Sequence, residues 1–256
     1  MTDEPWEGLS PLLPVQQWRP GGPGRPPWDR RCVMHGIVYV NKTGCQWRML
    51  PKACGHWETV YGDCRRWRQA GVWQRVMTEL RQVERRCHGR LAEPSAGASD
   101  SQSVKTATQS QDVGFDRHKK IKGRKRHLLV DTLGLLVAVV VTAAHVDERE
   151  GLVALLNRYL AAGVTRLRKL WVDGGYRADW LRAWGWGLKR THKIGLEVVE
   201  HTGKGFRVVP HRWVGERTFA WLLNYRRHRC DYETLTATGE AMIQISMIHL
   251  LLKRLA

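Results

Sequence analysis

The sequence has few of the features that would anchor a chain in a membrane or stabilise it with zinc. Its longest apolar run, residues 133–144, is far shorter than the ~20 residues that a membrane-spanning helix needs. The first ten residues, MTDEPWEGLS, are acidic and contain no apolar segment typical of a signal peptide. No two of the six cysteines form a C-x-x-C pair, which argues against a structural zinc site. We therefore expect a soluble, cytoplasmic protein with reduced thiols.

Acidic residues are scarce relative to basic ones. The 256 residues include 42 Lys and Arg but only 24 Asp and Glu, so the formal net charge is +18, and the sequence pI is about 10.2. This excess of positive charge indicates a polyanionic partner, nucleic acid before a membrane surface. A basic surface without such a partner is the alternative.

Residues 1–27 are rich in proline and glycine and predict an irregular arm. Between residues 28 and 88 the apolar spacing predicts three helices instead. The first is capped by Asp29 and ends at Gly44. The second covers about 57–70, and the third follows Gly71.

The second predicted helix has an apolar stripe on one face and an arginine cluster, Arg65, Arg66 and Arg68, on the other. Three short helices with such a cluster predict a DNA-binding module of the helix-turn-helix type. A helical bundle with a solvated basic face fits the same pattern, and the number of helices does not separate the two interpretations.

A stretch rich in small residues follows, and beyond it the periodicity changes. Paired apolar runs that turn at Gly134, followed by strands that alternate with helices, predict a mixed α/β sheet covered by helices. Two further short strands are predicted from LEVVEH and GFRVVP. The expected organisation is a helical DNA-binding domain over 1–90, a linker over 91–99 and an α/β domain over 100–256.

Three acidic residues occupy unusual positions in the predicted α/β domain. Asp100 lies at the start of its first strand, although an Asx turn or helix cap explains an Asp-Ser pair equally well. Asp173 ends the apolar strand LRKLWVD before two glycines, which is also a common turn sequence. Glu216 lies three, four and seven residues before Phe219, Ala220 and Leu223, so we expect it on the buried stripe of a helix. An ion pair with Arg212 or Arg217 is the alternative.

If these three carboxylates converge, their mutual repulsion requires divalent cations, and oxygen ligands select Mg²⁺ or Mn²⁺. Two such ions can hold the attacking and leaving oxygens of a phosphodiester. The positive surface would then bind the polyanion, and the acidic cluster would hold the metal ions that cut it.

The sequence resembles the bacterial insertion-sequence transposases of the IS-five family, in motifs that run in order over nearly the whole chain. In the N-terminal part these are GIVYVNKTGCQWRMLP and WETVYGDCRRWRQAGVW. Further along they are SDSQSVK, KKIKGRKRHLLVDTLGLLVAVVV, WVDGGY and RWVGERTFAWL, with RRHRCDYE after them. The resemblance implies an RNase H-like fold and a DNA transposase that binds the terminal inverted repeats of its insertion sequence, cleaves the strand and transfers it.

The resemblance also implies that Asp100, Asp173 and Glu216 form the catalytic Asp-Asp-Glu triad and bind two Mg²⁺ or Mn²⁺ ions. Its substrate would be double-stranded DNA, bound by a homodimer or higher oligomer and associated with the bacterial nucleoid. The related IS-four group carries Tyr-x2-Arg-x3-Glu-x6-Lys around its Glu. Here Arg212 keeps the Arg position and is a further expected DNA contact, but Val209 replaces the Tyr and Leu223 replaces the Lys. Arg226 or Arg227 is expected to provide the missing basic contact.

The run DRHKKIKGRKRH, residues 116–127, has seven Lys or Arg in twelve positions and is the strongest phosphate-binding candidate. A disordered, solvated loop is the alternative. The expected DNA contacts in this run are Lys119, Lys120, Lys122, Arg124, Lys125 and Arg126. Two other functions stay open: a DNA-binding repressor without catalysis, and a nuclease that cuts DNA without joining it.

Overall fold

The structure, a computed structural model, describes residues 3–15, 26–163, 166–199 and 213–256. Over these ranges the chain forms eight α-helices and one six-stranded sheet. The helices are α1 (Asp3–Leu9), α2 (Arg30–Thr43), α3 (Trp57–Gln69), α4 (Val72–Cys87), α5 (Glu148–Ala161), α6 (Asp179–His192), α7 (Trp213–Leu223) and α8 (Thr236–Arg254). The strands are β1 (Ala96–Lys105), β2 (Gly114–Asp116), β3 (Ile121–Asp131), β4 (Leu136–Ala143), β5 (Lys169–Val172) and β6 (Gly195–Val198).

The sheet combines an antiparallel half with a parallel half. Strand β3 pairs antiparallel with both β1 and β4, and short β2 pairs with the first residues of β3. On its other side β1 pairs parallel with β5, which pairs parallel with β6. An antiparallel three-stranded unit extended by two parallel strands is the order of an RNase H-like sheet, so the predicted fold class is confirmed.

Helices cover both faces of the sheet and bury two apolar clusters. Helices α5 and α6 pack on one face, over side chains such as Leu129 and Leu170. Helices α7 and α8 pack on the other, over Leu128 and Val139. The alternation of Leu128 and Leu129 between the faces follows from the two-residue period of a strand. In the described residues, no helix has the length and apolar character that a membrane crossing requires.

Several local predictions are confirmed by the backbone. Asp29 caps α2 by accepting a hydrogen bond from the Arg31 amide, and Gly44 ends that helix with a left-handed φ of 73°. Gly134, with φ of 77°, lies in the tight turn between β3 and β4. The six cysteines are all free. The predicted strand GFRVVP lies outside the described residues.

The N-terminal helices are continuous with the rest of the core. Ile37 of α2 and Val76 of α4 belong to the same buried cluster as Ile245 and Ile248 of α8. Three N-terminal helices follow one another as expected, but their apolar faces pack on the C-terminal helix. The two predicted parts of the chain therefore share one core.

Two boundary predictions are wrong. The arm predicted over 1–27 contains α1 and a 3-10 turn, and its Leu9 and Leu13 are buried in the shared core. Arg30 holds this segment by donating to the carbonyl of Leu13 at 3.0 Å. The predicted linker over 91–99 is also too long, because residues 96–99 already form the start of β1 and Ser99 is buried.

Candidate active site

The three predicted acidic residues line one small cavity at the junction of β1, β5 and α7. Strands β1 and β5 are parallel, with Ala98 beside Trp171. Asp100 and Asp173 each follow two residues later, so the strand register brings them to neighbouring positions. Glu216 lies in the first turn of α7. All three residues border a cavity of about 40 Å³.

Helix α7 approaches β1 through a glycine. A Cβ placed on Gly215 would lie only 2.8 Å from the Cβ of Asp100 and 3.2 Å from its Oδ2. A side chain at this position would therefore separate Glu216 from the two aspartates. In the sequence GERT at the start of α7, Gly215 allows this close approach and Glu216 is the next residue.

The expected stripe of α7 is wrong in detail. Its buried side chains are Val214, Thr218, Phe219 and Leu222, whereas Glu216 is exposed. The helix is rotated so that Gly215 faces Asp100, and Glu216 reaches the cavity from the rim of the buried face.

The electrostatics of the cavity depend on its burial. The pKa of Asp100 is raised to about 6, mainly because its carboxyl is buried; a hydrogen bond from the Ser101 amide lowers this pKa and the Asp173 charge raises it. That amide lies 2.7 Å from Asp100 Oδ1. Asp173 Oδ1 accepts a hydrogen bond from the Gly175 amide at 2.9 Å, which fixes its carboxylate at the end of β5.

The donor groups of this cavity suit a divalent cation. Carboxylate oxygens are the ligands that Mg²⁺ and Mn²⁺ prefer. The hydroxyl of Tyr176, on a side chain that is 2% exposed, has no hydrogen bond of standard geometry. Among the described residues, however, no three Asp, Glu, His or Cys side chains already lie close enough to hold one ion. Binding a cation therefore requires the carboxylates to move towards one another.

The basic run divides into an exposed part and a buried part. Lys119, Lys120 and Lys122 are exposed, near the turn between β2 and β3. The prediction that the rest of the run contacts DNA is contradicted, because Arg124, Lys125 and Arg126 are buried within β3.

These three buried cations have internal partners. Arg124 donates to the carbonyls of Glu233 at 2.8 Å and Gln111 at 3.0 Å. Lys125 lies 3.4 Å from the Asp116 carboxylate. Arg126 donates to the carbonyl of His228 at 2.9 Å. Their side chains thus hold the segment before α8 and the β2–β3 turn against the sheet.

The other predicted DNA contacts are similarly mixed. Arg65 and Arg66 are exposed on α3, and Arg68 is half-buried. Arg226 is exposed, but Arg227 is buried and donates to Glu233 Oε1 at 2.6 Å, so its assignment as a DNA contact is contradicted. Arg212 and Val209 lie outside the described residues.

Sequence reasoning missed two residues that lie close enough to Asp100 to interact with it electrostatically, Glu148 and Tyr176. Tyr176 ends the WVDGGY motif that already contained Asp173, so its position close to the carboxylates was a usable signal. Glu148 follows the cap residue Asp147 of α5, and an acidic residue in the first turn of a helix is too common to attract attention.

Comparisons with known proteins cover both parts of the chain. Residues 1–77 match the family model described as "Putative transposase of IS4/5 family", and residues 91–251 match the model described as "Transposase DDE domain". The second match alone spans more than half of the 256 residues.

Two similar proteins come from Burkholderia cepacia. One is the "Insertion element IS402 uncharacterized 16.2 kDa protein", 37% identical over 117 residues, which are 44% of this chain and 78% of that protein. The other is the "Putative transposase for insertion sequence element IS402", 31% identical over 120 residues, 43% of this chain and 54% of that protein. Among solved structures, the "Mos1 Strand Transfer Complex" aligns over 94% of this chain and 79% of that chain, at 14% identity and a TM-score of 0.25. A score this low does not establish a shared fold.

Proposed function

Because the chain belongs to the family of transposases with a DDE domain, we propose that Asp100, Asp173 and Glu216 are the three acidic residues of that domain. The protein is a transposase of the insertion-sequence type, an enzyme that cleaves DNA and transfers the strand, and it depends on a divalent metal. The observation that supports the assignment of the three residues is the one small cavity that all three line.

We assign the metal to this cavity, held by Asp100, Asp173 and Glu216 as two Mg²⁺ or Mn²⁺ ions. When bound, such ions activate a water molecule for attack and stabilise the charge on the leaving oxygen of the phosphodiester. The residues around this cavity set the protonation and the position of the metal ligands. Asp100 must give up the proton that its raised pKa retains near pH 6, and the Gly175 amide holds Asp173 in place.

The exposed cations position the DNA. Lys119, Lys120 and Lys122 lie near the turn next to the cavity, where they would hold the phosphates that flank the cleaved bond. Arg65 and Arg66 on α3 would contact the terminal inverted repeat. Arg226, exposed beyond α7, would contact the DNA end. Two ends must be joined in one reaction, so the active form is a homodimer or a higher oligomer on DNA.

A cleavage and joining assay tests this function. Double-stranded DNA that carries the terminal repeats flanking the gene should be cut at the repeat end in Mg²⁺, and the freed 3′-hydroxyl should join to a second DNA. Products that are cut but never joined would identify a plain nuclease. Binding of the repeats without any cut product would identify a repressor.

A further inference from the structure

Glu148, the first residue of α5, lies beside the proposed metal site but is not one of the three DDE residues. Its Oε1 accepts a hydrogen bond from the Ser101 hydroxyl at 2.8 Å and one from Lys119 Nζ at 3.1 Å. Ser101 directly follows Asp100 in β1. One oxygen of Glu148 is therefore fixed to the strand that carries the first catalytic aspartate.

The other oxygen of Glu148 approaches Asp173. A Cβ built on Gly175 would lie 3.5 Å from Glu148 Oε2 and 3.1 Å from Asp173 Oδ1. Both carboxylates therefore face the same small volume, which stays open because residue 175 has no side chain. The WVDGGY sequence thus brings a second acidic group, from a different element, to the end of β5.

The hydroxyl of Tyr176 lies in the combined field of these acidic groups. Its burial raises its pKa well above the usual value, and the charges of Glu148, Asp100 and Asp173 raise it further, while a contact with the Ser101 side chain offsets part of the increase. The hydroxyl makes no hydrogen bond of standard geometry, although the side chain is 2% exposed. A buried polar group without such a hydrogen bond needs a physical explanation, and an ion bound beside it is one.

The usual roles of an acidic residue at a helix start do not explain Glu148. Asp147 already caps α5 by accepting a hydrogen bond from the Arg149 amide at 2.8 Å. Glu150 supplies negative charge to the same first turn and is exposed. Glu148 differs from both because it turns inward, towards Ser101 and Gly175.

We propose that Glu148 is a fourth acidic ligand of the metal site, where its Oε2 binds a divalent cation together with Asp173. This inference rests on the function proposed above. Lys119 competes with the cation for Glu148, because it pairs with the same carboxylate.

Mn²⁺ binding to the full-length protein, measured by isothermal titration calorimetry without DNA, tests this proposal independently of cleavage. Glu148→Gln should weaken Mn²⁺ binding by about tenfold or more, as expected for a lost ligand interaction. Glu150→Gln removes the same charge two residues away on the exposed side of α5, and should change the affinity less than about twofold because exposed charges are screened. Equal effects of the two substitutions would overturn the proposal.

Two further variants separate ligation from charge and from the Lys119 pair. Glu148→Asp keeps the charge but withdraws the oxygens by one methylene, so Mn²⁺ binding should still weaken, and an unchanged affinity contradicts ligation. Lys119→Gln removes the competitor, so Mn²⁺ binding should tighten, and an unchanged affinity would contradict the competition. A loss in this variant as large as in Glu148→Gln would mean that Glu148 acts only by holding Lys119.

The same titration on Asp173→Asn shows whether a failed prediction concerns only Glu148 or the whole metal site proposed above. If Asp173→Asn weakens Mn²⁺ binding and Glu148→Gln does not, Glu148 is not a ligand and the function proposed above stands. If neither weakens it, the metal site itself is misplaced.

Discussion

Gly215→Ala tests how α7 delivers Glu216 to the two aspartates. The new Cβ would lie 2.8 Å from the Asp100 Cβ, whereas ordinary contacts of this kind begin at 3.4 Å. Asp100 cannot move aside easily, because β1 is paired on both sides, with β3 and β5. Helix α7 must therefore shift away from the sheet by roughly 0.5–1 Å, since packed interiors leave little room for adjustment.

A shift of this size should impair catalysis more than folding. A misplacement of about 1 Å in a catalytic constellation reduces the rate by about a hundredfold, so we expect a loss of that order in DNA cleavage. Overpacking should lower the free energy of unfolding by about 1–3 kcal/mol, partly offset by the ~0.5–1 kcal/mol that Ala adds over Gly in a helix. Binding of repeat DNA should be retained, because the exposed cations are unchanged.

Gly187→Ala in α6 is the matched control. A Cβ at this position meets nothing within 4 Å, so the substitution should raise the free energy of unfolding by ~0.5–1 kcal/mol and leave cleavage at the wild-type rate. Cleavage, gel-shift and urea unfolding would be measured on both variants. A Gly215→Ala protein that cleaves as fast as the wild type would refute the close packing of α7 on Asp100 as a requirement for the site.

Three further outcomes depend on whether an individual basic side chain is exposed or buried. Substitution of Lys119, Lys120 and Lys122 by Ala should flatten the log–log salt dependence of DNA binding by about 0.9 for each lost phosphate contact, and an unchanged slope would exclude these lysines as contacts. Arg124→Ala should instead lower the free energy of unfolding by ~3–5 kcal/mol, measured by urea titration, and leave the salt slope unchanged; a changed slope with normal stability would contradict its structural role. Burial lowers the pKa of His127 to about 4. As the pH falls, His127 is therefore protonated in the unfolded chain before it is protonated in the folded protein. The free energy of unfolding should fall by about 2 kcal/mol from pH 7 to pH 5 for this reason. His127→Gln should remove that part of the acid sensitivity, and an undiminished loss in urea titrations at both pH values would show that His127 does not cause it.

Local signals made much of the fold predictable. Asp29 and Gly44 define the ends of α2 because capping and left-handed backbone depend on the residue itself. The hairpin of β3 and β4 follows from two apolar runs around Gly134. The position of Asp173 at a strand end could be read from where the apolar run LRKLWV stops, whereas Asp100, predicted at the start of a strand, lies in the middle of β1.

Features that depend on contacts between distant segments were not predictable. Leu9 lies in a proline-rich region, and its burial requires the core that α8 completes. Arg124 and Lys119 belong to one basic run, yet only the pairing of β3 within the sheet buries the former and leaves the latter exposed. The position of Glu148 beside Ser101 and Gly175 depends on the register of β1 and on where α5 packs. The rotation of α7 that exposes Glu216 is set by the contact of Gly215 with Asp100.

The central claim, that the acidic cavity at the end of β5 performs the DNA chemistry, is tested most directly by Asp173→Asn. Asn keeps the size of Asp and removes the charge that a divalent cation needs, so cleavage of terminal-repeat DNA in Mg²⁺ should fall by several orders of magnitude. Gel-shift binding of the same DNA should survive or improve, since one repulsion with phosphate is lost. Asp179→Asn, whose side chain in α6 is 99% exposed, should cleave like the wild type. Wild-type cleavage by purified Asp173→Asn protein would contradict the account and reduce the DGG sequence to an ordinary turn.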